Sequence, residues 1–176
     1  MCTRATMDRM DELPEAYRRV LRLLCDRLPF PQVNWALTGS LGHYLQGVRV
    51  DVHDIDVQTD GDGAWFANDA LREFVRVEVY QRTSPLMSSL FGAFEIDGLQ
   101  VEVMGAVRKR ARPGDPWGPP TNPRDHCRLV IADGFTVPVL SLAYEAEAYE
   151  AIGRPERAKL LREALSRLDG EGKPSD

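Results

Sequence analysis

The sequence predicts an α/β fold of the α+β kind, with helices flanking a mixed, mostly antiparallel sheet and a helical pair at the C-terminal end. Apolar residues recur at helical spacing near the N-terminus, short apolar segments separated by Asp-Gly turns occupy the middle, and two helical segments follow. A chain of 176 residues is long enough for one domain with a hydrophobic core. We therefore expect a main domain over residues 1–140, with C-terminal helices over residues 141–176 packed on it.

Helices and short strands alternate through the first half of the chain. Apolar side chains at helical spacing predict a helix over about 11–28, and Pro29 and Pro31 end it. The elements expected next are a strand at 35–37, a helix at 41–47, a strand at 54–59, a helix at 65–74 and a strand at 75–80. The Asp and Gly residues at 60–63 predict a turn after the second strand.

Two hairpins and two helices are predicted for the second half. Asp-Gly pairs at 97–98 and 133–134 predict tight turns, the first joining 94–96 to 99–103 and the second joining 128–132 to 135–140. Residues 108–124 are rich in Pro, Gly and Arg and predict an irregular loop. Ser141 is a predicted N-cap for a helix over 142–152, and Pro155 begins a last helix through 168, after which we expect a frayed tail.

The composition restricts the class of protein. Hydrophobic residues make up 43% and charged residues 28% of the chain, which is ordinary for a soluble domain. The net charge of −5 provides no basic field for a nucleic-acid duplex, so long DNA or RNA is an unlikely partner. Three scattered cysteines indicate a reducing compartment, and neither a membrane span nor a signal peptide is visible. We expect a cytoplasmic protein that does not bind membranes.

Two acidic residues on one strand form the strongest candidate site. Asp54 and Asp56 occupy alternate positions, so both carboxylates point out of the same face of the strand. They repel each other unless a cation neutralises them. Glu102 lies between Val101 and Val103 on the hairpin strand that we expect beside them. The alternative interpretation is that all three acids are solvated residues on a polar strand face.

A Gly-Ser pair precedes these acids. Gly39 and Ser40 follow a short strand and open a helix, where backbone N–H groups and a hydroxyl can bind a phosphate. Ser40 could equally be a simple helix cap, and the two roles are compatible because both use the same free N–H groups. Carboxylates together with a phosphate-binding turn indicate Mg²⁺-dependent phosphoryl chemistry.

These segments, over about residues 33–105, resemble the DNA polymerase β-like nucleotidyltransferase superfamily. The superfamily pattern is an apolar residue followed by Gly and Gly or Ser, then Asp-apolar-Asp or Glu, then a third acid between apolar residues. The chain matches it with Gly39-Ser40, Asp54-Ile55-Asp56 and Glu102, whereas His53 stands where relatives often have Ser. The tail from Leu142 to Lys159 is similar to small bacterial members related to the aminoglycoside and lincosamide nucleotidyltransferases.

The resemblance implies a fold, an activity and a set of site residues. It implies the polymerase β-like nucleotidyltransferase fold, with Asp54, Asp56 and Glu102 as catalytic residues and Mg²⁺ ligands. The residues expected to contact the nucleotide are Gly39 and Ser40 at the turn and Lys159 in the similar tail. Arg108 is added to them because it belongs to the densest basic patch of the chain, not because of the resemblance. The expected donor is a nucleoside triphosphate, most readily ATP, and the expected acceptor is a small hydroxylated molecule.

Other functions and assemblies stay open at this stage. One alternative is modification of a protein or RNA end, as in relatives paired with toxins, and another is a non-catalytic nucleotide-binding module. The intact acidic triad disfavours the non-catalytic module. A homodimer is compatible with the sequence.

Several further residues have two interpretations each. Arg108, Lys109, Arg110 and Arg112 form either a clamp for phosphates or an anionic acceptor, or a solvated surface. His43 is interpreted as a packing residue that could approach a phosphate, and His53 as a structural residue. The aromatic residues that could stack on a base or an acceptor, or simply pack, are Trp117, Tyr144 and Tyr149.

Overall fold

One eight-stranded sheet organises the structure, a computed structural model that describes residues 4–5 and 13–171. The strands are β1 (Arg4–Ala5), β2 (Trp35–Thr38), β3 (Ile55–Thr59), β4 (Val75–Thr83), β5 (Met87–Ile96), β6 (Leu99–Lys109), β7 (Cys127–Ala132) and β8 (Phe135–Leu140). Their order across the sheet is β1-β7-β8-β2-β3-β6-β5-β4. Four of the neighbouring pairs are antiparallel and three are parallel, which confirms the mixed, mostly antiparallel sheet.

Helices flank this sheet, and two of them follow the last strand, as predicted. The helices are α1 (Glu15–Arg27), α2 (Gly39–Leu45), α3 (Gly61–Ala70), α4 (Pro123–His126), α5 (Leu142–Ala151) and α6 (Pro155–Glu171), with a 3-10 turn at Arg72–Phe74. Within the described residues, none of these helices is long and apolar enough to cross a membrane.

The two faces of the sheet differ in chemistry at its centre. Alternate residues of β3 and β6 are fully buried in the main hydrophobic cluster, where they pack with side chains of α1 and α3. These strand residues are Ile55, Val57, Val101 and Val103. Because side chains alternate along a strand, Asp56 and Glu102 point to the opposite face. α5 lies on that second face, where its Tyr144 and Ala148 line a cavity with Gln58 of β3. The acidic residues are therefore displayed toward the C-terminal helices.

A second, smaller hydrophobic cluster holds the C-terminal helices. It combines a residue after α2 with side chains of α5 and α6, namely Val48, Leu142, Ala146, Leu161 and Ala164. The division into a main domain over 1–140 and C-terminal helices over 141–176 stays a prediction.

The structure corrects the predicted turn at 60–63. α3 begins at Gly61, because the carboxylate of Asp60 caps it and accepts a hydrogen bond of 2.8 Å from the Gly63 N–H. An aspartate that can form a turn can equally satisfy the free N–H groups of a helix. The predicted helix start at 65 was therefore four residues too late, and residues 71–74 form separate turns.

Strand β5 is longer than the sequence indicates. Only residues 94–96 were predicted as strand, whereas β5 begins at Met87 and pairs with β4 on one side and β6 on the other. Serines and a glycine over 88–92 have a low preference for strands, so the sequence pattern there is weak. The segment is a strand because β4 and β6 form hydrogen bonds with both of its edges.

The predicted cap at Ser141 and the two predicted Asp-Gly hairpin turns are confirmed. Asp97 and Asp133 adopt positive φ angles of 53° and 50°, each followed by a glycine, as primed hairpin turns require. The Ser141 hydroxyl accepts a hydrogen bond of 3.3 Å from the Tyr144 N–H at the start of α5. α6 continues through Glu171, past the predicted end at 168, and residues 172–176 lie outside the described part of the chain.

Candidate active site

The three predicted acids meet where β3 and β6 pair. These strands are parallel, and Asp56 lies opposite Glu102 in the register. Asp54 comes just before β3, two residues from Asp56. On the other side of β3, Thr38 at the end of β2 lies opposite Asp56. The expectation that the hairpin carries Glu102 to a strand beside the aspartates is confirmed.

Gly39 makes room for Asp56. Its φ angle is +65°, a region that residues with a side chain rarely adopt. A Cβ atom at this position would lie 2.1 Å from Oδ2 of Asp56, far inside any possible contact. The turn between β2 and α2 can approach the carboxylate only because residue 39 is glycine. Gly39 and Ser40 are thereby brought to the acidic cluster.

The environment of Asp56 favours its protonated form. Burial is the main cause that raises its pKa from 3.8 to about 7, and the charges of Glu102, Asp54 and Glu145 raise it further. His43 opposes the shift. A carboxylate in this environment is partly protonated at neutral pH, and a cation beside it would favour its charged form.

Glu145 is a buried acid of the site that the sequence did not identify. Its side chain is 3% exposed, and Oε1 accepts hydrogen bonds from the Thr38 hydroxyl and, at 3.4 Å, from the Gly39 N–H. Oε2 lies 2.9 Å from Nε2 of His43, although the two atoms are not aligned as a hydrogen bond. The signal available in the sequence was its helical spacing, which places Glu145 on the apolar face of α5 with Leu142.

His43 has a defined partner in this arrangement. It is 2% exposed and lies on α2, with its ring 6.1 Å from the ring of Tyr149 in an edge-on geometry. The contacts with Tyr149 and Glu145 tie α2 to α5 beneath the acidic cluster. His43 is therefore buried between α2 and α5 and also lines a cavity beside the Gly-Ser turn, which we call the Ser40 cavity, so its two interpretations stay predictions.

The Ser40 cavity has a volume of about 410 Å³ and opens beside the Gly-Ser turn. Its walls include Ser40 and His53 from the sheet side and Tyr149, Arg157 and Leu161 from the C-terminal helices. The Ser40 hydroxyl accepts a weak hydrogen bond of 3.4 Å from the backbone N–H of His53. The guanidinium of Arg157 lies 5.9 Å from the ring centre of Tyr149, and Arg157 lines the same cavity as Ser40.

Lys159 is not brought to this site. Its side chain is 72% exposed and lies 3.9 Å from the carboxylate of Glu163 on the outer surface of α6. Residues two positions apart on a helix point about 200° away from each other, so Arg157 and Lys159 cannot face the same cavity. Arg157 lines the Ser40 cavity, whereas Lys159 does not.

Arg108 is also turned away, because β6 contains a bulge. The register with β5 shifts by one residue between Gly105 and Arg108, and Ala106 has a φ angle of 49°. The shift reverses the alternation, so that Arg108 is exposed and Lys109 points to the acidic face. The Lys109 ammonium lies 5.3 Å from the ring centre of Tyr144.

The rest of the Arg-rich segment is partly held by the chain itself. The Arg110 guanidinium stacks 4.1 Å from the ring centre of Trp117 and donates a hydrogen bond of 2.6 Å to the Pro85 carbonyl. Tyr144 stacks on His126 at 4.0 Å, and its hydroxyl lies 3.1 Å from that of Thr121. Trp117 and Tyr144 therefore have partners within the protein.

A mixed sheet that pairs an Asp-x-Asp strand with a strand carrying a third acid, beside a Gly-Ser turn, defines a nucleotidyltransferase. The family model for aminoglycoside-2''-adenylyltransferases matches residues 20–168. The chain belongs to this family.

Solved structures of two other proteins are similar to the chain. A candidate nucleotidyltransferase from Thermotoga maritima is 44% identical, with a TM-score of 0.75 over 92% of this chain and 97% of that one. The structure of ANT(2'')-Ia in complex with adenylyl-2''-tobramycin matches at 14% identity and a TM-score of 0.45, over 86% of this chain and 96% of that one. A search of curated proteins found no match.

Proposed function

We propose that the protein transfers a nucleoside monophosphate from a nucleoside triphosphate to a hydroxyl group of a small molecule, with Mg²⁺ as cofactor. The observation that carries this proposal is the register pairing of Asp56 with Glu102 directly beside Gly39. It joins carboxylates and a phosphate-binding turn at one point of the sheet. The name of the family supports ATP as donor and an aminoglycoside as the first acceptor to test.

The donor atoms fit Mg²⁺ in their chemistry. Asp54, Asp56 and Glu102 offer only carboxylate oxygens, the ligands that this hard cation prefers. Within the described residues, no three acidic, histidine or cysteine side chains form a closed metal-binding group, and the Glu102 carboxylate accepts a hydrogen bond of 2.7 Å from Gln100. A closed group is not required, because Mg²⁺ is usually held by one or two carboxylates, waters and substrate phosphates. When bound, the cation would offset the carboxylate charges and stabilise charge on the transferred phosphoryl group.

The residues of the chain position the reactants in this proposal. Gly39 and Ser40 bind the β- and γ-phosphates, and Arg157 adds a cation on the far side of the Ser40 cavity. Glu145 keeps the turn in place through the Thr38 hydroxyl and the Gly39 N–H. Holding the triphosphate in line with the acceptor hydroxyl converts an encounter of two molecules into a reaction within one complex.

The reaction then needs one proton acceptor. The acceptor oxygen forms a bond to the α-phosphorus while the bond from that phosphorus to the bridging oxygen breaks, and pyrophosphate leaves. The hydroxyl proton passes to a carboxylate, for which Glu102 is placed opposite Asp56. No other reactant is required.

The Arg-rich segment supports a small acceptor over a long nucleic acid. Lys109 and Arg110 contact Tyr144 and Trp117, so two of the four cations at 108–112 already have partners within the chain. Together with the net charge of −5, this disfavours the alternative of an RNA end as acceptor.

Mass spectrometry of reaction products tests the proposal. The full chain is incubated with Mg²⁺, each of the four nucleoside triphosphates, and a panel of aminoglycosides and other hydroxylated molecules. We expect pyrophosphate and an acceptor whose mass has increased by one nucleoside monophosphate. The Asp54→Asn variant is the matched control, and adduct formation at an equal rate in that variant would refute the proposed site.

A further inference from the structure

A smaller cavity of about 100 Å³ lies beside the acidic cluster, between α5 and the sheet. Most of its wall is apolar or aromatic, including Met87, Met104, Val107, Tyr144, Ala148 and Ile152. Gln58 of β3 and Lys109 of β6 contribute polar groups, and Thr38 and Glu145 form its boundary with the acidic cluster. The lining is that of a slot for a largely apolar group with a few polar atoms.

Gln58 presents an unused donor to this cavity. The side chain is only 6% exposed, and its amide nitrogen, Nε2, has no hydrogen-bond acceptor among the atoms of the described residues. An amide donor buried without an acceptor is unfavourable, so such groups in folded proteins usually have a partner. An oxygen or ring nitrogen of a ligand in the smaller cavity would supply the missing acceptor.

The register of the sheet connects this donor to the acidic cluster. Gln58 follows Asp56 by two positions and points to the same face, and Met104 lies opposite Gln58 as Glu102 lies opposite Asp56. Two residues of a strand span about 7 Å. A ligand whose phosphorus lies at Asp56 would therefore reach the smaller cavity with the part of the molecule attached to that phosphorus.

We propose that the smaller cavity binds the base of the nucleotide donor, and that Nε2 of Gln58 donates a hydrogen bond to a ring nitrogen or carbonyl oxygen of that base. This inference rests on the proposed nucleotidyl transfer. The volume admits one flat ring system and excludes the several linked rings of an aminoglycoside. Tyr144 and the methionines provide polarizable contacts to such a ring.

The test compares nucleotides with a ligand that has no base. Calorimetry on the full chain with Mg²⁺ measures the dissociation constants of non-hydrolysable analogues of the four nucleoside triphosphates and of inorganic tripolyphosphate. In Gln58→Leu we expect the dissociation constant of the preferred nucleotide to rise about three- to tenfold, the effect of one lost hydrogen bond. That of tripolyphosphate should not change. The matched control is Gln81→Leu, on the exposed edge strand β4, which should bind both ligands like the wild type.

A second variant fills the cavity without touching the polar groups. Ala148→Leu adds apolar bulk from α5, and it should weaken nucleotide binding at least about tenfold while tripolyphosphate still binds normally. Melting temperatures check the fold, and Gln58→Leu should melt no lower than the wild type, because it removes a buried donor without a partner.

The outcomes separate this inference from the proposed function. If both variants bind the nucleotide as tightly as the wild type does, the smaller cavity does not bind the base. The same conclusion follows if their affinity for tripolyphosphate falls by the same factor as their affinity for the nucleotide. Neither result contradicts nucleotidyl transfer. Binding of tripolyphosphate by the wild type as tightly as every nucleotide would also contradict base binding in the smaller cavity. A wild-type protein that binds neither ligand overturns the proposed function, and the slot with it.

Discussion

The carboxylate of Asp56 occupies the space that a side chain on residue 39 would need. A Cβ on Gly39 would lie 2.1 Å from Oδ2 and 3.0 Å from Cγ of Asp56. A side chain at residue 39 therefore cannot be accommodated unless Asp56 moves.

Substitution of Gly39 should therefore impair both the fold and the site. In Gly39→Ala we expect the free energy of unfolding to fall by about 1–3 kcal/mol, because a positive φ is unfavourable for alanine and the Cβ displaces Asp56. Nucleotidyl transfer should fall at least about 100-fold, since small displacements of reacting groups have effects of this size. Denaturant titration and a pyrophosphate-release assay measure the two effects.

Gly98→Ala is the control for this substitution. Gly98 also has a positive φ, of 75°, but a Cβ there would meet no atom within 4 Å. It should lose about 1 kcal/mol of stability through backbone strain while keeping full activity. Equal activity in the two alanine variants would contradict the role of the Gly39–Asp56 contact.

The raised pKa of Asp56 predicts a pH dependence of stability without metal. Its pKa rises from 3.8 to about 7 on folding, so the folded chain binds the proton more tightly than the unfolded chain. The stabilisation by this proton is complete below about pH 4 and is lost as the pH rises to about 7. The loss is on the order of 4 kcal/mol at most.

Asp56→Asn should remove this dependence. The difference in unfolding free energy between variant and wild type, measured by denaturant titration with EDTA, should grow in favour of the variant from pH 4 to pH 7. Adding Mg²⁺ at pH 8 should stabilise the wild type and not the variant, which should also lose transfer by more than about 1,000-fold. A constant difference across this pH range would show that Asp56 does not titrate as described.

Glu102→Gln should separate nucleotide binding from chemistry. Asp54 and Asp56 remain to bind the donor with its cation, so the dissociation constant of a non-hydrolysable triphosphate should stay within about threefold of the wild-type value. Transfer should fall about 100- to 10,000-fold, because the proposed proton acceptor is lost. Glu95→Gln, on the neighbouring strand and paired with Arg76 at the surface, should keep its activity. Loss of nucleotide binding in a folded Glu102→Gln protein would assign Glu102 to the donor instead.

Arg157 and Lys159 form a matched pair for testing the triphosphate site. Arg157→Ser should raise the Michaelis constant for the triphosphate about tenfold or more, since charge-assisted hydrogen bonds contribute about 1.5–3 kcal/mol. Lys159→Ser should leave this constant unchanged, because Lys159 is exposed beside Glu163. Steady-state kinetics at two salt concentrations measure this constant for both variants. A larger increase in Lys159→Ser than in Arg157→Ser would show that Lys159 contacts the nucleotide, as the resemblance implies.

Some of this protein could be predicted from short stretches of sequence. The helix at 15–27, the hairpins at Asp97 and Asp133, and the cap at Ser141 depend on neighbouring residues, and their patterns identify them. The acids of β3 and the acid of β6 could be placed together for the same reason, because alternation along each strand determines the face on which a carboxylate lies. Fold class and enzyme class followed from these local patterns.

Other features were decided only by packing between distant elements. The bulge at Ala106 reverses the alternation of β6 and turns Lys109, not Arg108, toward the site, and no local pattern in the sequence marks it. The contacts of α6 with α5 determine which residues of α6 face the Ser40 cavity. Arg157 lines that cavity and Lys159 does not. Glu145 is buried beside Thr38 and His43 because α5 docks on the open face of the sheet. Local patterns thus determined which elements form and which face each strand displays, whereas the side chains that complete the site were decided by tertiary contacts, because those contacts join residues far apart in the chain.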